Sequence, residues 1–432
     1  MRAMKDSGIE WIGQIPQGWH VDRLKYCAEL DREKLSEKTD PEYAFNYIDI
    51  SSVTEYGGIG STQEMTFDKS PSRARMVVRD GDTIISTVRT YLKAIAYIDG
   101  LEDHICSTGF CVVTPNEKLH PKFGYYLLQS DYFVQKIVSE SVGVSYPAIS
   151  STEIGNMSIA IPAPEEQSRI ACYLDTKCAE IDALIAAKEK TNALLKERRQ
   201  SIIYEAVTKG LDPDAPMKDS GIEWIGQIPE NWDMLRLRFL GTFQNGISKA
   251  GEFFGSGYPF VSYGDVYKNE VLPTTPSGLV ESTESEQELY SVEKGDVFFT
   301  RTSETKEEIG IVAVCKETIP NATFAGFLIR MRPTTNVVTT DFLRYYFSCG
   351  LQREYFSKEM TLVTRASLGQ DLLKNMVVTI PSAEEQEAIV NYLDEQTQAI
   401  DSIIANNDVS IQKLKEYRQS IICEAVTGKI EV

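Results

Sequence analysis

The sequence MKDSGIEWIGQIP occupies residues 4–16 and occurs again, letter for letter, at residues 217–229. A second matching pair follows, RQSIIYEAVT at residues 199–208 and RQSIICEAVT at residues 418–427, and its copies differ at one position. A chain of 432 residues is long enough for two or more domains, each with its own core. The sequence therefore predicts two tandem units, each with a constant frame around a divergent middle. Such a pattern favours two readers of different targets held in one scaffold.

The composition is that of an ordinary folded protein, with 42% apolar and 10% aromatic residues. The eight cysteines form no CxxC pair and the three histidines are scattered, so we expect reduced thiols and no zinc site. No signal segment opens the chain, and no apolar run approaches the length needed to span a bilayer. We therefore expect a soluble, cytoplasmic protein with no membrane partner.

The net charge of −19 argues against nucleic-acid binding by the chain alone, because phosphate neutralisation supplies most non-specific affinity. Two explanations remain open. Either the chain does not bind nucleic acid, or its basic groups are clustered and a partner supplies further positive surface.

The middles of the two units predict a similar order of elements. Alternation over residues 43–50 predicts a strand, and residues 76–87 predict a hairpin with a tight turn at Asp80-Gly81-Asp82. Further strands are expected at residues 94–98, 109–114 and near Ile159, with helical spacing after Pro121. The second unit repeats this order at residues 258–261, 294–300 and 342–356. The fold class is therefore α+β, with mixed sheets and helices in two similar domains, residues 1–160 and 213–379.

Each domain is followed by Ile-Pro and a long helix without internal proline, within residues 161–212 and 380–432. Pro164 stands near the first helical position, where proline is favoured, and Ser382 with Glu385 makes a capping box. Each helix can run for about forty residues, which is roughly 60 Å.

The apolar residues of both helices repeat every seven positions, the spacing of a coiled coil. The interface positions are Leu174, Ile181, Lys188, Leu195 and Ile202 in the first helix and Leu393, Ile400, Asn407, Leu414 and Ile421 in the second. A companion stripe holds Ile170, Leu184 and Ile185, matched by Ile389, Ile403 and Ile404. The alternative is a helix lying on a globular core. Pairing is favoured because two such helices in one chain provide each other with a partner.

Catalytic signatures are lacking from the sequence. It contains no GxxxxGK[ST] phosphate loop, no GxGxxG between a strand and a helix, and no Asn-Pro-Pro or Asp-Pro-Pro segment of the kind amino-methyltransferases use. The acid pairs Glu165-Glu166 and Glu384-Glu385 stand at helix starts, where the helix dipole explains them. We therefore expect a chain that is not an enzyme by itself.

Basic residues cluster between Lys69 and Lys93, where six of them stand against two acids. Arginine beside hydroxyl groups can contact phosphates and read guanine edges; the alternative is a solvated strand surface. The candidate DNA-binding residues here are Arg73, Arg75, Arg79, Arg89, Tyr91 and Lys93, with Ser145 and Tyr146 in a later polar loop. Those of the second unit are Lys249, Arg301, Thr302, Lys306, Arg365 and Ser367.

KDSGIEWIGQIP near the start of each unit, Ile-Pro-x-x-x-Glu-Gln before each long helix, and RQSIIxEAVT near each helix end resemble the specificity subunits of type I restriction–modification systems. The resemblance covers essentially the whole chain. It implies two target-recognition domains, each bound to half of a bipartite target in double-stranded DNA. The two helices would then pair as an antiparallel coiled coil that sets the spacing.

The resemblance also implies partners. Two modification subunits would carry S-adenosylmethionine and methylate adenine, and restriction subunits would use ATP and Mg; this chain itself would bind no cofactor. Modification subunits would also supply positive surface that the acidic chain lacks. An assembly scaffold or decoy that no longer reads DNA is the alternative, and an enzyme with an unrecognised site is a weaker one.

Overall fold

The computed structural model describes residues 2–54, 57–100, 103–143, 146–303, 309–359 and 366–432. The chain divides into two compact units, Met1–Glu189 with Asn407–Val432, and Lys190–Asn406. Each unit therefore combines one globular domain with part of both long helices.

The first globular domain is built from short strands and three short helices, and the first long helix follows them. Its strands are β1 (Met4–Asp6), β2 (Gln14–Pro16), β3 (His20–Arg23), β4 (Ala28–Leu30), β5 (Ala44–Ile48), β6 (Gln63–Thr66), β7 (Ala74–Val77), β8 (Thr83–Ser86), β9 (Ile95–Tyr97), β10 (His104–Ser107), β11 (Phe110–Pro115) and β12 (Ser158–Ile161). The helices are α1 (Pro121–Gln129), α2 (Asp131–Glu140), α3 (Ser151–Asn156) and the long α4 (Pro164–Lys209).

The second globular domain repeats this plan, as the sequence predicts. Its strands are β13 (Met217–Asp219), β14 (Gln227–Pro229), β15 (Asp233–Arg236), β16 (Gly241–Asn245), β17 (Phe254–Val261), β18 (Gly278–Val280), β19 (Val297–Thr300), β20 (Thr302–Ser303), β21 (Val312–Val314), β22 (Thr323–Phe324), β23 (Leu328–Pro333), β24 (Ala366–Ser367) and β25 (Val377–Ile380). Its helices are α5 (Tyr263–Lys268), α6 (Glu284–Leu289), α7 (Thr340–Ser348), α8 (Leu351–Glu359), α9 (Gln370–Asn375) and the long α10 (Ala383–Val426).

Two four-stranded sheets form the first domain, in the orders β6-β5-β10-β7 and β4-β11-β8-β9. The hairpin predicted at residues 76–87 is wrong, because β7 and β8 belong to different sheets. Val77 pairs with β10, whereas Thr83 pairs with β11. The turn between them is real: Asp82 accepts a hydrogen bond of 2.8 Å from the backbone N–H of Arg79. Non-local pairing, rather than the turn, decides where each strand goes.

The sheets of the second domain have related orders, β16-β23-β19-β21 and β18-β17-β22. The first of these sheets has the same order as β4-β11-β8-β9. The other sheet of each domain contains one parallel pair of strands, β5 with β10 in the first domain and β17 with β22 in the second. Mixed sheets with helices in both domains confirm the α+β class.

Each copy of the repeated frame forms a small hairpin, β1-β2 or β13-β14, followed by a buried tryptophan. Trp19 packs in one core cluster with Ile422, at the end of α10. Trp232 packs in the other cluster with Ile203, at the end of α4. The two repeated segments of the sequence therefore contact each other in both units. This contact explains why both stay constant while the middles differ.

The motif Ile-Pro-x-x-x-Glu-Gln ties each globular domain to its long helix through a buried glutamine. The side chain of Gln167 donates to the carbonyls of Lys118 (2.9 Å) and Pro162 (3.0 Å), and it accepts from the N–H of His120 (2.8 Å). Gln386 makes the same three bonds in the second unit, at 2.8, 3.0 and 2.8 Å, with Val337, Pro381 and Thr339. The glutamine of this motif is thus a structural link.

The long helices have 46 and 44 residues, which confirms their predicted length. The first begins at Pro164 and the second carries the expected capping box, with Ser382 and Glu385 exchanging bonds of 3.1 and 3.2 Å. Hydrophobic periodicity and caps act over a few residues, so both features could be read from the sequence.

The two helices pair in antiparallel fashion, as predicted. The cluster of the first unit includes Leu174, Ile181 and Ile421, with the partly buried Leu414 packed against it. The cluster of the second unit includes Ile202, Leu393 and Ile400, with the partly buried Leu195 packed against it. The start of α4 therefore packs against the end of α10, and the end of α4 against the start of α10.

The polar positions of the heptad pattern, one in each long helix, contact each other. The ammonium of Lys188 donates a hydrogen bond of 3.2 Å to the side-chain oxygen of Asn407. A polar pair at one layer of a coiled coil can fix its register, since a shifted register would leave both groups without partners.

The companion stripe is only partly buried, which corrects the expectation for two of its members. Leu184 and Ile403 stand at equivalent positions of the two helices and are 54% and 48% exposed, so they lie outside the interface between the helices. Their side chains leave an apolar spot on each helix that the chain itself does not cover. Within the described ranges, no helix is long and apolar enough to cross a membrane.

Candidate nucleic-acid interface

A cleft of about 1520 Å³ lies within the first unit, between the globular domain and α10. One wall comes from the segments after β5 and β8, the start of α2, and Tyr146. Residues 412–423 of α10 supply the other wall. The lining side chains that can ionise or donate to a ligand include Asp49, Arg73, Arg89, Tyr91, Lys93, Asp131, Tyr146, Gln412, Lys415, Glu416, Arg418 and Gln419.

The segment after β8 carries three of the predicted residues, Arg89, Tyr91 and Lys93, into this cleft. Arg89 and Lys93 both adopt the left-handed backbone conformation, with φ of 51° and 53°. Such a conformation costs a non-glycine residue about 1–3 kcal/mol, and it persists where the surroundings hold it. The short turn between them presents Tyr91 and Leu92, which are 53% and 51% exposed. The strained turn thus displays an aromatic and an aliphatic side chain between two cations.

Two side-chain contacts hold this turn against α2. The hydroxyl groups of Thr90 and Ser141 lie 2.9 Å apart, and the ammonium of Lys93 lies 3.0 Å from the carboxylate of Asp131. Lys93 is therefore engaged by its own domain, and a phosphate would have to compete with that carboxylate.

A second segment, distant in the sequence, meets the turn at Arg89. The guanidinium of Arg89 lies 4.9 Å from the ring centroid of Tyr146, and its backbone N–H donates to the carbonyl of Pro147 (2.8 Å). Tyr146 is 66% exposed, so stacking orients the guanidinium without burying it. Two of the predicted residues from separate loops therefore form one site.

The cleft is basic although the chain is acidic, with five basic and three acidic side chains in its lining. Asp131 is neutralised by Lys93, as described above. Arg418 is buried and pairs with Asp182 of α4 at 2.9 Å. Burial opposes the charge of Arg418, but the hydrogen-bonded carboxylate raises the pKa of its guanidinium above the ordinary value. The lining also contains Arg73, Arg89 and Lys415.

Two of the basic residues predicted in the first unit do not line the cleft. Arg75 lies 4.5 Å from the ring centroid of Phe67 and donates to the carbonyl of Ala74 (2.9 Å). Arg79 forms an ion pair with Glu33. Both side chains contact their own domain, and a role for them in DNA binding stays a prediction.

In the second unit, Lys249 is held by acidic neighbours. Its ammonium lies 2.6 Å from the carbonyl of Glu281 and 2.7 Å from the carboxylate of Glu286. These bonds fix the loop before β17, and contact of Lys249 with DNA stays a prediction.

The backbone shows which positions of the two units correspond around Arg301. Its N–H donates to the carbonyl of Phe327 (2.9 Å), just as the N–H of Thr87 donates to that of Gly109 (2.8 Å). Arg301 thus stands where the first unit has Thr87, two residues before Arg89. Thr302 pairs with Ser367 in the two-stranded sheet β20-β24. Ser145, Lys306 and Arg365 lie outside the described residues.

The site contains residues that sequence reasoning missed. Gln412, Lys415 and Gln419 line the cleft from α10. A signal for them exists in the sequence, because the pattern Lys-Glu-x-Arg-Gln-Ser occurs in both long helices, overlapping the repeat that ends each unit. Over the described part of the chain, no group of three or more His, Cys, Asp or Glu side chains is arranged to hold a metal ion.

Comparisons with known proteins agree with this architecture. The family described as type I restriction modification DNA specificity domain matches residues 16–196 and 229–412. The EcoKI specificity subunit of Escherichia coli K12 is 25% identical, over 97% of this chain and 90% of that protein. The putative MjaX specificity subunit of Methanocaldococcus jannaschii is also 25% identical, over 98% of this chain and 96% of that one.

Solved structures show the same arrangement. One chain, from a study of complex assembly and conformational transition of the type I R-M system, has a TM-score of 0.75 and 26% identity over 96% of this chain and 99% of its own. The HsdS subunit from Thermoanaerobacter tengcongensis has a TM-score of 0.52 and 26% identity over 96% and 98% of the two chains. With both of its halves matched by the family model, the chain belongs to the type I restriction modification DNA specificity domain family.

Proposed function

We propose that this chain is the DNA-recognition subunit of a type I restriction–modification complex, in which each globular domain reads one half of a bipartite target. The observation that carries the proposal is the basic cleft of the first unit in a chain of net charge −19. Arginine stacked on an exposed tyrosine suits base-edge and phosphate contacts, because a guanidinium reads guanine bidentately. Each unit is held by contacts between constant segments, so its middle can change without loss of the scaffold.

The long helices set the distance between the two readers and dock modification subunits. Leu184 and Ile403 support docking, since they are exposed apolar residues at equivalent positions of the two helices. Equivalent patches favour two copies of one partner. That partner would carry S-adenosylmethionine and methylate adenine, and restriction subunits would bring ATP and Mg. The chain itself then binds no cofactor and is not catalytic.

Mapping of methylated adenines in a host with and without this chain tests the proposal. A bipartite motif with a fixed gap should be methylated only when the chain is present. Unchanged methylation after its removal would refute the proposal. Gel shifts with the assembled complex separate a reader from a scaffold, because a scaffold shows no preference among duplex sequences.

A further inference from the structure

The second wall of the cleft is formed by α10, one of the two helices whose proposed role is spacing. Gln412, Lys415 and Gln419 line the cleft at spacings of three and four residues, so they share one face of the helix. Arg89 and Tyr91 line the same cleft. A ligand that fills the cleft would therefore meet both walls.

The neighbouring Arg418 fixes which face of α10 is turned to the cleft. Its guanidinium makes two bonds to the carboxylate of Asp182, at 2.9 and 3.3 Å, and a third of 3.3 Å to the side-chain oxygen of Gln129. Arg418 thus joins α10 to both α4 and α1. Buried bidentate pairs resist rotation of a helix, because turning it would leave charges without partners.

The polar groups of this wall suit a phosphate backbone. The carboxylate of Glu416 accepts a hydrogen bond of 2.8 Å from the amide of Gln412, which disperses part of its negative charge. Lys415 is half-buried and adds a cation to the lining. Gln419 lines the same face, and the NH2 group of its amide can donate a hydrogen bond to a phosphate oxygen.

We propose that residues 412–419 of α10 form part of the DNA site of the first domain, with Lys415 on a phosphate and Gln412 and Gln419 on the sugar–phosphate backbone. The turn after β8 would read base edges from the opposite wall. This division follows the general rule that phosphate contacts position a protein and base contacts specify the sequence. The inference rests on the proposed function, and it makes the last helix of the chain complete the first reader.

The test uses the full chain assembled with its modification subunits and two fluorescent duplexes, one with the target found by methylation mapping and one with a scrambled sequence. Lys415→Ala should weaken binding of both duplexes by a similar factor, about tenfold for one charge-assisted bond. The slope of log affinity against log salt should fall by about 1, because one phosphate contact is lost. Lys413→Ala is the matched control, since Lys413 is exposed on the same helix and does not line the cleft.

A photo-crosslinking residue gives a second measurement that does not depend on affinity. With p-benzoylphenylalanine in place of Gln412, irradiation should join the chain to the duplex. The same replacement at Lys413 should yield far less adduct. This arm holds even if Lys415→Ala lowers stability, which thermal unfolding of the assembled variant would reveal.

The outcomes separate the inference from the proposed function. Unchanged affinity in Lys415→Ala, with no adduct at position 412, overturns the inference while Arg89→Ala still impairs target binding. Loss restricted to the target duplex would also overturn the phosphate contact, because such contacts are independent of sequence. If Arg89→Ala too is without effect and no bipartite motif is found, the proposed function fails as well.

Discussion

Replacement of either buried motif glutamine should destabilise its own unit selectively. Gln167 and Gln386 are both 1% exposed, and each makes three hydrogen bonds to the backbone of its own globular domain. Gln167→Ala should destabilise the first unit, and Gln386→Ala the second. The reason is that alanine leaves two carbonyl groups and one N–H without their partner.

The size of the effect follows from these three groups. A buried polar group that loses its partner costs about 1–3 kcal/mol. In each unit, one of the three bonds is fully buried and two are partly accessible, so water can restore some of the loss. We therefore expect a fall of about 3 kcal/mol in the free energy of unfolding. This is a large part of the total, because the free energy of unfolding of native proteins is roughly 5–15 kcal/mol. The urea midpoint of the affected unit should fall by about 1–2 M.

Urea unfolding followed by tryptophan fluorescence measures this, because Trp19 and Trp232 report from the cores of the two units. Gln167→Glu is the charge control: its carboxylate still accepts from the N–H of His120 but faces the carbonyl oxygens of Lys118 and Pro162. Because burial and repulsion of this charge add to the lost bonds, it should destabilise the first unit at least as much as alanine does. A loss below about 0.5 kcal/mol in Gln167→Ala, the range of ordinary surface changes, would refute the structural role of the motif.

Arg89→Ala should relax recognition of one half-site only, by about 1–3 kcal/mol if the contact is bidentate; equal loss at both half-sites in methylation mapping would contradict two separate readers. Replacing both Leu195 and Leu414 with Asp should break the helix pair, at about 2–4 kcal/mol for each charge placed in the partly buried interface, and gel filtration should show loss of assembly. Intact assembly, with an unchanged gap between the two half-sites, would exclude the coiled coil as the element that sets the spacing. Replacing both Lys188 and Asn407 with Ile should raise the melting temperature, because a polar pair in a coiled coil costs stability, and should let the helices pair in more than one register. A lower melting temperature would contradict a role of this polar pair in fixing the register at the expense of stability.

Much of the scaffold could be predicted from local patterns. Heptad spacing predicted two long helices that pair. The four-residue pattern from Ser382 to Glu385 predicted a capping box, and the two residues form it. The exact repeat predicted two similar domains. These features depend on residues a few positions apart or on plain duplication, so no knowledge of distant contacts was needed. Leu184 shows the limit: its spacing suggested burial, but its exposure depends on the packing angle of the partner helix.

The candidate site could be predicted only in part. Arg89, Tyr91 and Tyr146 were named from local chemistry, and they line one cleft. Arg75 was named on the same grounds, yet it lies on Phe67 and outside the lining. Charge and residue type cannot tell these cases apart. What separates them is which face of a strand or turn each residue occupies after the sheets have formed.

The division follows from the range of the interactions. Repeats, helix periodicity and caps act along the chain, so the amino-acid order alone established two framed units and a pair of long helices. Arg89, Tyr146 and Lys415 line one cleft although they are far apart in the sequence. Strand pairing and the ion pair between Arg418 and Asp182 bring them together. Such contacts depend on long-range burial and hydrogen-bond satisfaction. Only the folded chain could show that α10 lines the same cleft as the turn at Arg89.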